Sequence, residues 1–70
     1  MTSNIQAKRK AAGLSQRQLA DRAGVSVRAL QHYEQGSLDI NKAAAEQVYR
    51  LARALGCSIE ELLDLDRITD

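Results

Sequence analysis

The sequence predicts an all-α fold, and three of its properties indicate this. The chain of 70 residues has no proline, and Ala, Leu, Gln, Arg and Glu, which favour helices, dominate its composition. Apolar residues recur at helical spacing, with almost no strand-like alternation. Several segments begin with a residue that caps helices and end with glycine. We therefore expect one domain over residues 1–70, with five helices in a core from about 4 to 63 and an acidic tail from 64 to 70.

The first helix is predicted over about Asn4–Ala12, because Gly13 follows it. Three residues at i, i+4 and i+7 form the stripe that would face inward: Ile5, Arg9 and Ala12. Two neighbouring lysines should point outward: Lys8 and Lys10. An arginine in an apolar stripe needs an acidic partner, since a buried charge without one is costly.

The second helix is predicted over about Gln16–Ala23, and its start carries a specific signal. Ser15 stands three residues before Gln18, which is the spacing of a capping box. Gly24 then suits the left-handed conformation that closes a helix. Only three residues separate this helix from the next, so the two must cross at a steep angle.

The third helix is predicted over about Val27–Gln35, with Ser26 as its N-cap and Gly36 as its end. On a helical wheel, one side is apolar apart from a carboxylate and should face the core: Ala29, Leu30, Tyr33 and Glu34. The opposite side holds Val27, Arg28, Gln31, His32 and Gln35. Because Arg9 and Glu34 are both charged residues on inward faces, we predict that they meet.

The outward side of the third helix has the chemistry of a surface that reads DNA bases. Arginine pairs bidentately with guanine and glutamine with adenine, while valine can contact the thymine methyl group. The alternative interpretation is an ordinary solvated helix face, which composition alone supports equally well. The two capped helices and their glycine turn favour the first interpretation, because such pairs mostly present the second helix to a partner.

The fourth helix is predicted from Asn41 or Lys42 to Leu55, with Asn41 as its N-cap and Gly56 as its end. Its apolar stripe would hold Ala44, Val48, Leu51, Ala52 and Leu55. In the loop before it, two apolar residues are expected to anchor in the core: Leu38 and Ile40.

A fifth helix is predicted through about Leu63, since Ser58 and Glu61 have the spacing of a capping box. The acidic tail after it has two apolar residues that we expect to be exposed or used in self-association: Leu65 and Ile68. The single Cys57 has no partner for an internal disulfide, and we expect a small buried residue rather than a reactive thiol.

The charges of the chain are unevenly distributed although its net charge is only +1. Residues 1–36 hold six Lys and Arg against two Asp and Glu, a balance of +4. Residues 37–70 hold four against seven, a balance of −3. A domain with this asymmetry would dock its basic half on phosphates and turn its acidic half away.

A spaced set of residues from the second and third helices resembles the phage-repressor/Cro-like helix-turn-helix family, also called the XRE family of bacterial regulators. The matching residues are Leu14, Ser15, Gln16, Leu19, Ala20, Gly24, Val25, Ser26, Leu30, Tyr33, Glu34 and Gly36. The segment Leu51–Leu63 is similar to the family's closing segment, so the resemblance covers about Ile5 to Leu63. It implies a compact five-helix, lambda-repressor-like DNA-binding domain and an ion pair between Arg9 and Glu34.

The resemblance also implies which residues contact DNA. The second helix would lie across the backbone, with Gln16 and Arg17 near phosphate, and the third would enter the major groove. Base or phosphate contacts are expected from Ser26, Val27, Arg28, Gln31 and His32. The loop after Gly36 departs from the family, because Asp39 stands where many members carry cations. The start of the fourth helix and Lys42 could bind phosphate instead.

We therefore expect a sequence-specific transcriptional regulator, a small cytoplasmic repressor, that binds double-stranded DNA without a cofactor. A homodimer would form through Leu62, Leu65 and Ile68, although a monomer that dimerises on DNA is also consistent with the sequence. The alternative function is a protein-interaction module or antitoxin-like adaptor with the same fold. The sequence favours no catalytic function, since it has no nucleophile–base pair, phosphate loop or metal-ligand spacing, and it has no membrane-spanning run or evident effector site.

Overall fold

The computed structural model describes residues 3–67, and all the regular structure within them is helical. The five α-helices are α1 (Asn4–Ala11), α2 (Gln16–Ala23), α3 (Val27–Gln35), α4 (Ala45–Leu55) and α5 (Ile59–Leu62). Two single 3-10 turns lie at Ile40–Lys42 and Leu65–Arg67. The prediction of an all-α, five-helix fold is therefore confirmed. In the described part of the chain, no helix has the length and apolar character needed to cross a membrane.

The first helix ends one residue earlier than predicted. The chain leaves α1 at Ala12, which is exposed and so does not belong to the inward stripe. Ser3 begins the helix, since its hydroxyl accepts a hydrogen bond from the Gln6 amide at 3.0 Å. Of the two lysines predicted to point outward, Lys10 is exposed and Lys8 reaches Glu61 of α5 at 3.1 Å.

The second and third helices have the bounds that their caps predicted. In α2, the Ser15 hydroxyl accepts from the Gln18 amide at 3.0 Å, and the Gln18 side chain accepts from the Ser15 amide at 2.9 Å. In α3, the Ser26 hydroxyl accepts from the Ala29 amide at 3.0 Å. The turn between the helices depends on Gly24, whose φ of 69° is a left-handed conformation that other residues rarely adopt.

The fourth helix begins at Ala45, so the predicted start at Asn41 or Lys42 and the predicted N-cap are wrong. Asn41 instead bonds to the backbone of Asp64: its Nδ2 donates to the carbonyl at 2.8 Å, and its Oδ1 accepts from the amide at 2.9 Å. The Asp39 carboxylate accepts from the Asn41 amide at 2.9 Å. These bonds close a 3-10 turn first, and α4 then starts after Ala44 without a side-chain cap.

One hydrophobic cluster draws on all five helices, and its side chains are mostly aliphatic. The buried apolar residues are Ile5, Leu14, Leu19, Ala20, Ala23, Leu30, Ile40, Val48, Leu51, Ala52 and Leu62. Because Leu62 is only 1 % exposed, it belongs to the core and its predicted place on a dimer surface is wrong. Of the two predicted loop anchors, Ile40 is buried but Leu38 is 44 % exposed.

The chain after α5 is more closely attached to the domain than a free tail would be. Asp64 is held by Asn41, and Leu65 follows in a 3-10 turn with 59 % of its surface exposed. Ile68, the other apolar residue of the predicted tail, lies outside the described residues. The stripe predicted for α4 buries Val48, Leu51 and Ala52, whereas Ala44 is exposed and Leu55 is half-buried.

Candidate nucleic-acid interface

The third helix divides its side chains between the core and solvent. Leu30 is fully buried and Glu34 is 8 % exposed, while Arg28, Gln31 and Gln35 are exposed. Two residues predicted to lie on the outward side, Val27 and His32, are half-buried instead. Val27 packs against the hydrophobic cluster, because the first turn of α3 lies close to the rest of the domain. The outward face is therefore narrower than the helical wheel indicated.

Arg9 and Glu34 meet beneath this face in a forked ion pair. Arg9 Nε donates to Glu34 Oε2 at 2.8 Å, and Nη2 donates to Oε1 at 2.9 Å. The third nitrogen, Nη1, donates to the Leu14 carbonyl at 2.9 Å. The two side chains are 11 % and 3 % exposed. The hydrogen bonds to Glu34 raise the pKa of Arg9 above its ordinary value, outweighing the opposite effect of burial.

Gln16 connects this ion pair to the outward face of α3. Its Nε2 donates to Glu34 Oε1 at 3.2 Å, and its Oε1 accepts from Gln31 Nε2 at 3.5 Å. An amide nitrogen carries two hydrogens, so one N–H of Gln16 stays available for the phosphate contact that the sequence predicts. The side chain of Gln31 is in turn held at the surface by a residue of α2.

The remaining sequence-predicted contacts lie at the helix starts and in the loop. Ser26 is exposed and caps α3, and a hydroxyl that accepts one bond still has a hydrogen to donate. Arg17 is exposed in the first turn of α2. Lys42 is exposed too, but it lies in the 3-10 turn rather than at the start of α4, where it was predicted.

A shallow depression of about 330 Å³ beside the α2–α3 turn contains a cation that the sequence analysis missed. Ser26, the N-cap of α3, lines it together with Arg50 and Glu46 of α4. A Cβ at Gly24 would lie 3.8 Å from Arg50 Nη1, which places the guanidinium beside the turn. In the sequence, Arg50 has only the signal of an i, i+4 pair with Glu46, typical of any helix surface.

The loop after Gly36 is ordered by its own backbone. The Leu38 amide donates to the His32 carbonyl at 3.2 Å, and Gly36 has a φ of 83°. The Asp39 carboxylate bonds to the Asn41 amide and thereby caps the 3-10 turn. The residues from Ser37 to Asn41 include no Lys or Arg, so this loop does not supply the cations that many family members place there.

Cys57 and the potential metal ligands do not form a reactive or metal-binding site in the described part of the chain. Burial, with a smaller effect from Glu61, raises the pKa of the Cys57 thiol above its ordinary value, which keeps it protonated near neutral pH. Cys57 is half-buried, whereas the sequence predicted a buried residue. Among residues 3–67, no group of three or more His, Cys, Asp or Glu side chains is placed to hold a metal ion.

Comparison with known families identifies the class of this domain. A family model described as helix-turn-helix matches residues 5–62, which is most of the chain. The chain belongs to the helix-turn-helix family. No curated protein and no solved structure matched it. The family assignment confirms the Cro-like resemblance, with α2 and α3 as the helix-turn-helix pair. The protein is thus a DNA-binding regulator of the XRE type, a class that is not typically enzymatic.

Proposed function

We propose that this helix-turn-helix protein is a cytoplasmic repressor that recognises a specific DNA sequence by inserting α3 into the major groove. The observation that carries the proposal is the exposed polar face of α3, anchored from beneath by the buried Arg9–Glu34 fork. A base-reading side chain gains specificity when its helix cannot rotate or slide. The fork joins α1 to α3 and supplies that restraint.

The proposed base contacts come from the outward side chains near the start of α3. Arg28 is the leading candidate, because an exposed arginine in the first turn can form a fork with the guanine O6 and N7 atoms. Gln31 is the next, since its amide is already oriented by Gln16. Val27 and His32 are half-buried and can offer only part of their surfaces to a base.

The proposed phosphate contacts surround these residues on α2 and α4. Arg17 and the remaining N–H of Gln16 would bind one phosphate at the start of α2. The start of α4 has amides without a side-chain cap, and it lies in the same depression as Arg50 and Ser26. Helix N-termini attract anions, and Arg50 adds a cation whose charge is partly offset by its pair with Glu46. In this proposal the group takes the place of the cations missing from the loop after Gly36. Lys42 is a further candidate nearby in sequence.

In this proposal, two protomers bind one operator together, and their presence on the DNA represses transcription. A two-fold site would present its half-sites about 34 Å apart, one turn of DNA. Burial of Leu62 removes it from the contact surface predicted for a dimer in solution. The proposal therefore takes the other possibility that the sequence leaves open, a monomer in solution that dimerises on DNA.

The test is selection of bound DNA from a random pool, followed by affinity measurements on the selected sequence. Arg28→Ala should weaken binding by roughly 1–3 kcal/mol and relax the preference at one base position. The matched control is Arg53→Ala, which removes an exposed arginine that lies over the Tyr49 ring, 6.0 Å from its centroid. An Arg28→Ala effect no larger than that of the control would contradict base reading by Arg28.

A second candidate function is an adaptor that uses the same fold to bind a protein. It is favoured by the Asp39-containing loop, which lacks the cations of many DNA-binding relatives. The two functions differ in their response to salt, because phosphate contacts release counterions and make DNA binding steeply salt-dependent. If the selection enriches no sequence and the protein has no salt-dependent affinity for DNA, the adaptor function is the correct one.

A further inference from the structure

A groove of about 570 Å³ lies on the domain between the start of α1, the end of α3 and α5. The loop after Gly36 and the final 3-10 turn complete its walls. The groove is at the C-terminal end of α3, whereas the proposed base contacts are near its N-terminal end. Nine helical residues separate these ends by about 13 Å.

The groove exposes apolar side chains that the fold leaves uncovered. Leu38 and Leu65 are 44 % and 59 % exposed, and both line it. Ile5 and Leu62, which are buried, form part of its floor. Four large apolar residues are exposed in the described part of the chain, and two of them are these leucines. Leu38 therefore lies on the surface of the groove, although the sequence predicted that it anchors in the core.

Carboxylates surround this apolar strip. Of the described residues that line the groove, six are Asp or Glu and none is Lys or Arg. Glu34 pairs with Arg9, and Glu61 pairs with Lys8, so these two carboxylates are engaged within the domain. Glu60 lies on the exposed surface of α5, and Asp66 is exposed in the turn after it. Glu60 and Asp66 therefore place two exposed negative charges along the groove.

We propose that this groove binds a basic amphipathic segment of another protein, with apolar side chains against Leu38 and Leu65 and cations toward Glu60 and Asp66. Charge complementarity selects this occupant over a second copy of the chain. A two-fold contact through the groove would bring the same carboxylates against one another, which is unfavourable. Because the groove and the start of α3 are at opposite ends of the helix, the domain can hold DNA and this partner together.

The experiment uses two synthetic helical peptides that share one apolar stripe at i, i+4 and i+7. The first carries Lys and Arg at its other positions, and the second carries Glu. Each is titrated into the full chain without DNA, with the Kd measured by calorimetry and the contact site by backbone amide shifts. The basic peptide should shift groove residues and bind at least tenfold more tightly than the acidic one.

Two charge-reversal variants make the test specific to the groove. Glu60→Lys should weaken the basic peptide at least fivefold, while Asp21→Lys, which reverses an exposed carboxylate on α2, should change its Kd less than twofold. Leu65→Ser should also weaken it. Equal effects of Glu60→Lys and Asp21→Lys, equal affinity for the two peptides, or no binding of the basic peptide would each overturn the proposal.

A further measurement tests whether the groove binds a second copy of this chain instead of another protein. Sedimentation of the free protein should show no dimer that Leu65→Ser disrupts. A dimer that this substitution dissolves would overturn the proposal and assign the groove to a second copy. Since peptide binding is measured without DNA, these results are independent of whether the proposed base contacts are correct.

Discussion

Arg9 and Glu34 are charged side chains enclosed by an otherwise aliphatic interior. Enclosing two charges is costly, and their attraction offsets this cost only when the remaining polar atoms are bonded too. Here Leu14 accepts from the third guanidinium nitrogen and Gln16 donates to the carboxylate. Every buried side-chain nitrogen and oxygen among the described residues has a partner. The pair thus holds α1, α2 and α3 in one arrangement.

Removing one member of the Arg9–Glu34 pair should destabilise the fold much more than replacing both members with apolar residues. Glu34→Ala leaves the Arg9 guanidinium without its counter-charge, and we expect it to lower the free energy of unfolding by roughly 3–5 kcal/mol. The double variant Arg9→Met with Glu34→Leu should recover most of that loss, because apolar side chains can fill the site. Urea unfolding followed by circular dichroism measures both. A double variant that is no more stable than Glu34→Ala would contradict this account.

The helix starts show how far local sequence determines an element. The capping boxes at Ser15 and Ser58 involve residues three apart, so their spacing alone predicted where α2 and α5 begin. The start of α4 was not predictable in this way. Asn41 is a good N-cap in isolation, but its side chain bonds to Asp64, 23 residues away. Only the folded chain brings these residues together.

In the candidate interface, too, the sequence predicted what depends on local spacing and missed what depends on packing between helices. The wheel placed Arg28 and Gln31 outward because residue spacing along a helix is regular. It misplaced Val27, since the burial of a first turn depends on what packs beside it. Arg50 was missed because its position beside Gly24 depends on how α4 packs against the α2–α3 turn. Leu62 was assigned to the surface because α5 has a single turn, too short for its stripe to show which side faces the core.

The capping box of α5 should respond to pH through Glu61. A hydrogen bond from the Ser58 amide, with further effects from Lys8, lowers the pKa of this carboxylate below its ordinary value. Its stabilising effect is therefore complete above the unfolded value of about 4.3 and is lost as pH falls through the lower folded value. Glu61→Gln keeps an amide that can cap the helix but removes the charge. The stability difference between wild type and Glu61→Gln should shrink as pH falls from about 6 to below 4.

Thermal unfolding at a series of pH values measures that difference. The neighbouring Glu60→Gln is the control, because the Glu60 side chain is not part of the capping box. A difference that stays constant across the range, or that is equal for the two variants, would show that ionisation of Glu61 does not stabilise α5.

At the scale of the molecule, charge is separated along the chain. The basic half contains α2 and α3, while the acidic half contributes α5 and much of the groove. We expect a domain with this asymmetry to approach DNA with its basic half forward, since its electric field orients it before contact. Net charge alone, at +1, would not predict such behaviour.

The salt dependence of DNA binding should show whether the position of a cation on the domain matters, or only the total number of cations. Arg17→Ala should reduce the slope of log affinity against log salt by about 0.9 per protomer, with similar loss on all sequences. Lys8→Ala removes the same charge from the same half, but Lys8 is engaged with Glu61 of α5. Its slope should match that of the wild type. Equal reductions in the two variants would mean that general charge, rather than a contact at the start of α2, determines binding.

The double hydrogen bond between Asn41 and Asp64 gives the molecule a natural reporter. The Asp64 amide proton is held by a side chain from the far end of the groove's loop, and Asp64 itself lines the groove. This proton can exchange with solvent only when the loop and the chain after α5 separate. The exchange rate of this proton therefore reports how often the loop separates from the chain after α5. A partner that spans the groove would slow the exchange without contacting the proton itself.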